Sequence, residues 1–504
     1  MTSPPSSNAT RVIIVGGGTA GWMTAVALVG LLQADVCSVR LVESDEIGTV
    51  GVGEATLPQL RAFNRRIGLI EFEVMRRTRA TFKLGIEFRG WGSGGTSYIH
   101  PFGAFGRALG GVDFHHQWRR AALLGEPSAI EDYSLSIAAA RRGRFDFPVD
   151  DPARIESTFD YAYHLDAGLY GRYLREVGER RGVERTEGKV VRVDRDPETG
   201  ALAAIALADG RTIEGDLFID CSGFRALLIG DALKSGWEDW SRWLPCDRAF
   251  AVPSARTDDF HPYTRLTARE AGWQWRIPLQ HRTGNGYVFS SRFLSEERAA
   301  DTLIANLDGD AIDAPRLLKF ATGRRHASWA ANCVAIGLSS GFLEPLESTS
   351  IYLIQRGIEE LVALFPSGPS CAPLRSEYNR RMDVEYERIR DFLILHYHAN
   401  GRDEPLWQAC REMAVPDSLR HKIELFARSG QIERYRDGLF SPPSWLSVLL
   451  GQGIVPANIH PMAPALPVER LRGVLDGMRA AVASAAEAMP SHASALEAYG
   501  VLAE

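Results

Sequence analysis

The first strong hydrophobic pattern of the chain is the run Arg11–Val15, which ends in four consecutive β-branched residues. Such a run predicts a strand that is buried on both faces. The small residues that follow predict a helix over about Trp22–Leu32, and a second apolar run predicts a strand over Ser38–Val42 that closes at Glu43. Together these elements predict a βαβ unit.

Further along the chain the pattern moves from strands and turns to helices. The stretch 189–215 predicts a meander of short strands with turns at DPETG and ADG, and LFIDCSG predicts another buried strand. From about Ile351 the apolar residues recur at helical spacing, and this spacing returns from Val468 onward. We therefore predict an α/β module over residues 1–360 and a mainly helical part over residues 361–504.

Between Phe82 and Arg89 hydrophobic and polar residues alternate with a period of two, which predicts a strand. Only five of the 57 basic residues of the chain are lysines, and Lys83 is the first of them. The alternation places Lys83 on the polar face of this strand. Gly85 is expected on the same face, where it leaves room beside the lysine.

Composition excludes several classes of partner. The 504 residues are 45% hydrophobic and carry a formal charge of −6 without a basic cluster, which disfavours nucleic acid or an anionic membrane. The six cysteines lack CxxC or metal-ligand spacing, so we predict reduced thiols and no metal. The start of the chain does not resemble a signal peptide, and no apolar run approaches the ~20 residues of a membrane helix. We expect a cytoplasmic protein that binds a small molecule.

The glycine-rich turn after the first strand predicts a dinucleotide site. Gly16, Gly18 and Gly21 form GxGxxG between a strand and a helix, and Glu43 follows 22 residues after the last glycine. The glycines permit close approach of a pyrophosphate, the helix N-terminus favours the anion, and the carboxylate can bind ribose hydroxyls. Two later strand-to-glycine segments, LFIDCSG and NCVAIGLSSGF, favour FAD over NAD, because FAD domains are assembled from separated parts of a chain.

These motifs and several others resemble those of the flavin-dependent tryptophan/indole halogenases over essentially the whole chain. The matching segments are GGGTAGW (16–22), GVGEATLP (51–58), FKLG around Lys83, HPFG (100–103), GWQWRIP (272–278) and GFLEPLESTSIY (341–352). The WxWxIP pattern within GWQWRIP is highly diagnostic of the family. The resemblance implies a Rossmann-type FAD-binding module with mixed sheets, like that of flavin monooxygenases, and a mainly α-helical C-terminal subdomain.

The resemblance also implies a reaction in two places. Reduced FAD (FADH2), supplied by a separate NAD(P)H-dependent flavin reductase, reacts with oxygen and with chloride or bromide to give hypohalous acid, which reaches an indole-type ring elsewhere. Lys83 and Glu347 match the essential lysine and glutamate of the family. A lysine ammonium can hydrogen-bond hypohalous acid, a neutral lysine amine can accept the halogen, and a carboxylate can take the ring proton.

Further residues match family positions that bind the cofactor and the halide. The cofactor matches are Gly16, Gly18, Thr19, Ala20, Gly21, Glu43, Gly53, Ala55, Val190, Leu338 and Ile351. Thr349 and Ser350 match the halide site, at a predicted helix N-terminus that Ser348 or Thr349 would cap. Trp273 and Trp275, the tryptophans of WxWxIP, are expected beside the flavin.

The substrate residues match the family less completely. His100 and Phe102 match positions that flank the indole ring, where an aromatic face can stack on the substrate. Trp445 and Leu446 stand where we expect paired tyrosines in the members specific for tryptophan. We therefore predict that indole or a larger indole derivative is the substrate, rather than free tryptophan.

Two other functions stay open from the sequence alone. A single-component FAD-dependent aromatic hydroxylase would use the same scaffold and would be reduced rapidly by NAD(P)H without a reductase. A flavin-binding regulatory or carrier protein would be unaffected by Lys83→Ala. The sequence is also compatible with a homodimer.

Overall fold

The chain forms two compact units, each built from three separated stretches. The computed structural model describes residues 9–46, 53–257, 260–366 and 371–502, so Gly51 and Val52 of the GVGEATLP segment lie outside the described residues. The first unit comprises Met1–Ala80, Leu165–Asp247 and Lys319–Glu387, and the second comprises Thr81–His164, Arg248–Leu318 and Arg388–Glu504. The boundary predicted after residue 360 lies inside the helix Thr349–Ala363.

The strands and helices are numbered in chain order. The strands are β1 Thr10–Val15, β2 Cys37–Glu43, β3 Gly53–Ala55, β4 Thr81–Lys83, β5 Gly85–Arg89, β6 Ser97–Pro101, β7 Ala162–Asp166, β8 Glu184–Glu187, β9 Val190–Arg195, β10 Leu202–Leu207, β11 Thr212–Glu214, β12 Leu217–Asp220, β13 Trp237–Asp239, β14 Arg248–Ser254, β15 Thr264–Arg269, β16 Gly272–Pro278, β17 Thr283–Phe289, β18 Arg316–Lys319, β19 Gly323–Arg325, β20 Trp329–Ala330, β21 Cys333–Ala335 and β22 Gly341–Phe342. The helices are α1 Thr19–Leu31, α2 Gln59–Arg66, α3 Glu71–Arg77, α4 Phe114–Leu123, α5 Leu135–Arg141, α6 Ala167–Arg180, α7 Glu296–Ala305, α8 Thr349–Ala363, α9 Ala372–His398, α10 Pro405–Glu412, α11 Asp417–Ser429, α12 Pro442–Gly451, α13 Val468–Ala488 and α14 His492–Ala498. Within the described ranges, none of these helices is both long and apolar enough to span a membrane.

The first unit contains a six-stranded sheet with the order β20-β21-β12-β1-β2-β8. β1 is parallel to both of its neighbours, β2 and β12. Val12–Val15 are almost completely buried, which confirms the predicted strand covered on both faces. The following helix begins at Thr19 rather than at about Trp22, because the last glycine of GxGxxG already belongs to its first turn.

The predicted meander is confirmed as a second, antiparallel sheet of the first unit. β9, β10 and β11 pair in the order β11-β10-β9. Leu202 and Ile205 of β10 share one hydrophobic core with Ile13 of β1 and Phe218 of β12. The meander therefore packs against the six-stranded sheet and covers part of it.

The second unit is built on a seven-stranded sheet with the order β18-β14-β17-β16-β15-β5-β6. β16 carries the WxWxIP motif between β15 and β17, and it is antiparallel to both. β4 pairs antiparallel with β7, outside this sheet, in the order β3-β7-β4. The apolar spacing from Val468 onward is confirmed as the helix α13.

The single strand predicted over Phe82–Arg89 is wrong, because the chain leaves one sheet and enters another at Leu84. β4 ends before this residue and β5 begins after it. The Leu84 N–H donates to the carbonyl oxygen of Pro262 at 2.7 Å, and its carbonyl oxygen accepts from the N–H of Phe102 at 2.9 Å. Since both backbone groups bond to other segments, the ladder of β4 cannot continue into β5.

The break also separates Gly85 from the strand of Lys83, because Gly85 begins β5. An added Cβ at Gly85 would lie 2.5 Å from the carbonyl oxygen of His100, so glycine is needed there for the close approach of β6. Ala162 lies directly opposite Lys83 in the β4–β7 pair, and opposite residues of an antiparallel pair share a face. The residue opposite Lys83 on this face is therefore the small Ala162.

Candidate active site

The glycine turn after β1 has the geometry that a dinucleotide requires. Gly16 has φ 114°, and an added Cβ would lie 2.2 Å from the carbonyl oxygen of Cys221, so this position excludes every side chain. Gly18 stands at the N-terminus of α1 without a side-chain cap. The first N–H groups of the helix are therefore available to an anion, and the residues present fit a pyrophosphate at this turn.

The carboxylate of Glu43 is held at the end of β2 by basic residues that the sequence did not indicate. The Arg185 Nε donates to Oε1 at 2.6 Å, and the Arg175 guanidinium lies 3.4 Å from the same oxygen. The indole N–H of Trp22 donates to Oε2 at 3.4 Å. These contacts fix the carboxylate beside the glycine turn, where it can meet a ribose.

Other cofactor matches are placed in the same unit. Leu338 lies in the turn Gly337–Ser339, which packs against α8, and α8 packs against α1. Val190 begins β9, two residues after Gly188, whose N–H donates to the Glu43 carbonyl oxygen at 2.8 Å. The remaining matches are Thr19, Ala20 and Gly21 in α1, Gly53 and Ala55 in β3, and Ile351 in α8. The first unit is thus assembled from separated stretches of the chain, as the later strand-to-glycine motifs predicted.

The LEPLESTS segment forms a buried turn before α8. Glu347 ends the short helical turn Pro345–Glu347 and is fully buried. Ser348 occupies the N-cap position in a left-handed conformation with φ 60°, and its side chain makes no capping hydrogen bond. Ser348, one of the two predicted N-cap residues, therefore holds the N-cap position, but its hydroxyl does not cap the helix.

The start of α8 fits a halide ion. The Thr349 hydroxyl is fully buried, and within the part of the chain that the structure describes it has no hydrogen-bond partner. Ser350 follows in the first turn, where backbone N–H groups are not used by the helix. A buried donor beside a helix N-terminus is suited to an anion.

Lys83 is fully buried in the second unit. Its ammonium nitrogen lies 4.9 Å from the centre of the Phe102 ring, within the range of a cation–π contact. Burial of a lysine is costly unless the ammonium is held by suitable groups, and buried lysines often have a functional role. The polar strand face on which the alternation places Lys83 is therefore an interior one.

An aromatic cluster in the same unit contains the three predicted substrate residues. His100 packs edge-on against Phe102 and Phe392, with ring centres 6.4 and 5.8 Å apart. Trp445 packs edge-on against Phe392 at 5.0 Å, and Phe440 stacks on Phe392 at 3.8 Å. Phe392 and Phe440 were missed by the sequence analysis, because no local pattern links them to the HPFG motif.

The two tryptophans of WxWxIP have different surroundings. Trp273 is fully buried, and its indole N–H donates to the Tyr397 hydroxyl at 3.0 Å. Trp275 lies over Gly286 of the neighbouring strand, where an added Cβ would come within 2.0 Å of the indole ring. Both side chains are thus fixed within the second unit, and their placement beside a flavin stays a prediction.

The glycine turn, its carboxylate and the mainly parallel sheet are those of a dinucleotide-binding module. The sequence model of the tryptophan halogenase family matches residues 11–468. The solved structure of BrvH, a flavin-dependent halogenase from Brevundimonas sp. BAL3, is 48% identical with a TM-score of 0.94, covering 97% of this chain and 99% of BrvH. Xcc4156, a flavin-dependent halogenase from Xanthomonas campestris, also has 48% identity and a TM-score of 0.94, covering 97% of this chain and 98% of its own.

A relative found by sequence is also a tryptophan halogenase. The tryptophan 6-halogenase SttH of Streptomyces toxytricini is 38% identical over 490 residues, which are 91% of this chain and 92% of SttH. The chain belongs to the tryptophan halogenase family. It is a flavin-dependent halogenase, a class that uses FADH2 and a halide and needs a separate flavin reductase and an aromatic substrate. The hydroxylase alternative is not favoured.

Proposed function

We propose that this halogenase places chlorine or bromine on an indole-type aromatic carbon, and that indole or a larger indole derivative is a better substrate than free tryptophan. The observation that carries the proposal is the fully buried Lys83 ammonium, 4.9 Å from the Phe102 ring centre beside an aromatic cluster. A buried cation next to stacked aromatic side chains is suited to holding an electrophile close to an arene.

The first unit binds the cofactor and the halide in this proposal. When bound, reduced FAD supplies the reducing equivalents with which oxygen and halide form hypohalous acid. The glycine turn holds the pyrophosphate and Glu43 the ribose, as the fingerprint requires. The Thr349 hydroxyl and the N–H groups of the first turn of α8, including that of Ser350, hold the halide.

Lys83 acts on hypohalous acid after the acid has formed. Its ammonium is a compact donor that can hydrogen-bond the neutral molecule and orient the halogen, whereas a guanidinium is broader and planar. Exclusion of water strengthens this interaction and protects the electrophile from side reactions. We assign Lys83 the task of orienting the electrophile.

Glu347 serves the same reaction as a base. Addition of a halogen cation to an aromatic carbon leaves a cationic ring, which must lose a proton to become aromatic again. The buried Glu347 carboxylate can stabilise that cation and accept the proton. Gln in its place would keep the shape of the side chain but could not take the proton.

The surroundings of Trp445 support a substrate without an amino-acid group. The Lys422 ammonium lies 5.5 Å from the centre of a Trp445 ring and 3.3 Å from the Asp391 carboxylate. Asp391 also pairs with Arg390 at 2.9 Å, and Glu433 lies 3.9 Å from the Lys422 ammonium. The two cations are thus matched by two carboxylates, so Lys422 is poorly suited to binding the carboxylate of free tryptophan. A neutral aromatic substrate avoids the need for a further counter-charge.

An assay of the purified protein tests the proposal. The reaction contains FAD, an NADH-dependent flavin reductase, chloride or bromide, and either indole, indole derivatives or tryptophan. We expect halogenated product, with a higher kcat/KM for indole derivatives than for tryptophan. Absence of product from a broad panel of indoles and phenols would contradict the proposal, and rapid flavin reduction by NAD(P)H without a reductase would instead support a hydroxylase.

A further inference from the structure

A fully buried histidine lies beside the strand that carries Lys83. His164 on β7 is directly opposite Thr81 on β4, and Thr81 shares a strand face with Lys83 two residues later. The His164 Nδ1 lies 3.0 Å from the Thr81 hydroxyl oxygen, and its Nε2 lies 2.9 Å from the Thr264 hydroxyl oxygen. Both ring nitrogens are therefore engaged.

The hydrogen bonds of Thr81 define the tautomer of His164. The Thr81 hydroxyl donates to the carbonyl oxygen of Pro278 at 2.8 Å, so its oxygen must accept from the His164 Nδ1–H. The Nε2 is then unprotonated in the neutral ring and accepts from the Thr264 hydroxyl. Each donor in this chain of bonds has one acceptor, and the ring has no freedom to flip.

The charge state of the ring is consistent with this assignment. Burial lowers the pKa of His164 well below its ordinary value of 6.5, and the nearby charges of Lys83 and Arg276 and the neighbouring His492 lower it further. The imidazole is therefore neutral throughout the physiological range. A neutral ring adds no positive charge beside the Lys83 ammonium.

The bonds join three strands at a single point. Thr81 belongs to β4, Thr264 begins β15, and Pro278 ends β16, the strand of WxWxIP. These residues are far apart in the chain, since Thr81 and Pro278 are 197 positions apart. The network fixes β4 two residues before Lys83, and a displacement of about 1 Å can cost a catalytic group about 100-fold in rate.

We propose that His164 is a positioning residue that fixes Lys83 through the hydrogen bond from Nδ1 to Thr81. The inference rests on the proposed role of Lys83. Nothing in this role requires His164 to touch the substrate or to exchange a proton. The proposal predicts that loss of the hydrogen bond at Nδ1 lowers the yield of halogenated product. Loss of the hydrogen bond at Nε2 should lower that yield much less.

Two substitutions separate the two ring nitrogens. The amide of Asn can replace Nδ1–H toward Thr81, whereas the longer Gln places its amide near Nε2 and toward Thr264. We expect His164→Gln to lower kcat and the yield of halogenated indole per FADH2 oxidised about 10-fold, with an unchanged KM for indole. His164→Asn should retain most of the yield of the unsubstituted enzyme. Both variants should oxidise FADH2 at the same rate as each other.

If either histidine variant does not fold, a second pair of substitutions tests the same two hydrogen bonds. Thr81→Val removes the bonds on the Nδ1 side, and Thr264→Val removes the bond on the Nε2 side. We expect a reduced yield per FADH2 for Thr81→Val and a nearly normal one for Thr264→Val. Melting temperatures show whether the two members of each pair are comparably stable.

The outcomes distinguish this inference from the proposed function. Equal yields from His164→Gln and His164→Asn, or from the two threonine variants, would overturn the positioning role. Lys83→Ala in the same assay tests the function on which the inference rests. If Lys83→Ala halogenates normally, the proposed role of Lys83 is wrong. If Lys83→Ala is inactive and His164→Gln is unaffected, only the positioning role of His164 is wrong.

Discussion

Lys83 and Lys422 are both buried in the second unit, yet their surroundings differ. Lys422 lies 3.3 Å from the Asp391 carboxylate and also reaches the carbonyl oxygen of Ser418 at 3.2 Å. Lys83 lies over the Phe102 ring on a strand face that it shares with the small Ala162. The comparison shows that burial alone does not mark a functional lysine, and that the groups around the ammonium decide what it can do.

The electrostatics of Lys422 indicate a structural role. Burial by itself lowers the pKa of Lys422, but the hydrogen bond with Tyr435 and the charge of Asp391 outweigh it and raise the pKa above the ordinary value of 10.5. The ammonium is thus held charged by partners of the fold. A lysine in this position stabilises α11 against α9 rather than a reacting molecule.

The largest effect is expected from replacing the lysine that faces the aromatic cluster. Lys83→Met should lower the yield of halogenated indole about 1,000-fold, because it removes the donor that orients the electrophile. FADH2 oxidation should stay at the rate of the unsubstituted enzyme, since the lysine acts afterwards. Product analysis together with flavin absorbance measures both quantities, and a parallel loss of the two rates would contradict the assigned role.

Glu347→Gln should have the second largest effect. The substitution keeps the size of the buried side chain but removes the base, so we expect kcat to fall about 100-fold. FAD binding, followed by flavin fluorescence, should be unchanged. A variant with normal kcat would show that another group takes the ring proton.

Lys422→Met tests the structural role assigned to the other buried lysine. Removing Lys422 takes away one of the two cations that contact the Asp391 carboxylate, which keeps Arg390 at 2.9 Å. Loss of this charge-assisted hydrogen bond should lower the free energy of unfolding by about 2 kcal/mol. The folded fraction should retain a kcat close to that of the unsubstituted enzyme. Urea unfolding and the indole assay measure the two effects, and a loss of kcat in the folded fraction would contradict the structural role of Lys422.

A smaller effect is expected at the halide site. Thr349→Val removes a buried hydroxyl without changing the shape of the side chain, and we expect the KM for halide to rise about 10-fold. Ser350→Ala should change it much less, because the backbone N–H is retained. Equal effects of the two variants would contradict the role of the Thr349 hydroxyl.

A pH dependence of stability is expected from the other histidine beside β4. The His492 Nε2 accepts from the Phe82 N–H at 3.1 Å, its Nδ1 contacts the Phe260 carbonyl oxygen at 2.9 Å, and burial lowers the pKa of His492 to about 4. Between pH 6.5 and 4 the unfolded chain binds a proton that the folded chain does not. This histidine therefore lowers stability by about 1.4 kcal/mol per pH unit as the pH falls through that window.

His492→Gln tests this pH dependence. The Gln amide oxygen can accept from the Phe82 N–H, but it does not titrate. The slope of unfolding free energy against pH should therefore become shallower by about one proton between pH 6.5 and 4. An unchanged slope would mean that His492 is not buried in its neutral form.

The two units also differ in how far the sequence predicts them. The nucleotide turn could be predicted because its signal is local: strand, glycines, helix and Glu43 follow one another along the chain. The contacts of that carboxylate could not be predicted, since Arg185 is 142 positions away. Only the folded sheet, in which β2 and β8 are neighbours, brings the two together.

The surroundings of Lys83 were less predictable for two physical reasons. A period of two identifies the side of a strand but not whether protein or water covers that side, so the alternation placed Lys83 on a polar face that is in fact buried. The break at Leu84 depends on hydrogen bonds to segments that lie elsewhere in the chain. His164, 83 positions from Thr81, has no local signal at all.

The most direct test of the account is whether the Lys83→Met variant still makes hypohalous acid. A small-molecule scavenger that reacts with hypohalous acid in solution is added to the variant with FADH2, oxygen and bromide. We predict that the scavenger captures as much oxidant per FADH2 as it does with the unsubstituted enzyme, while indole is not halogenated. Loss of both scavenger product and halogenated indole would contradict the claim that Lys83 acts after the oxidant has formed.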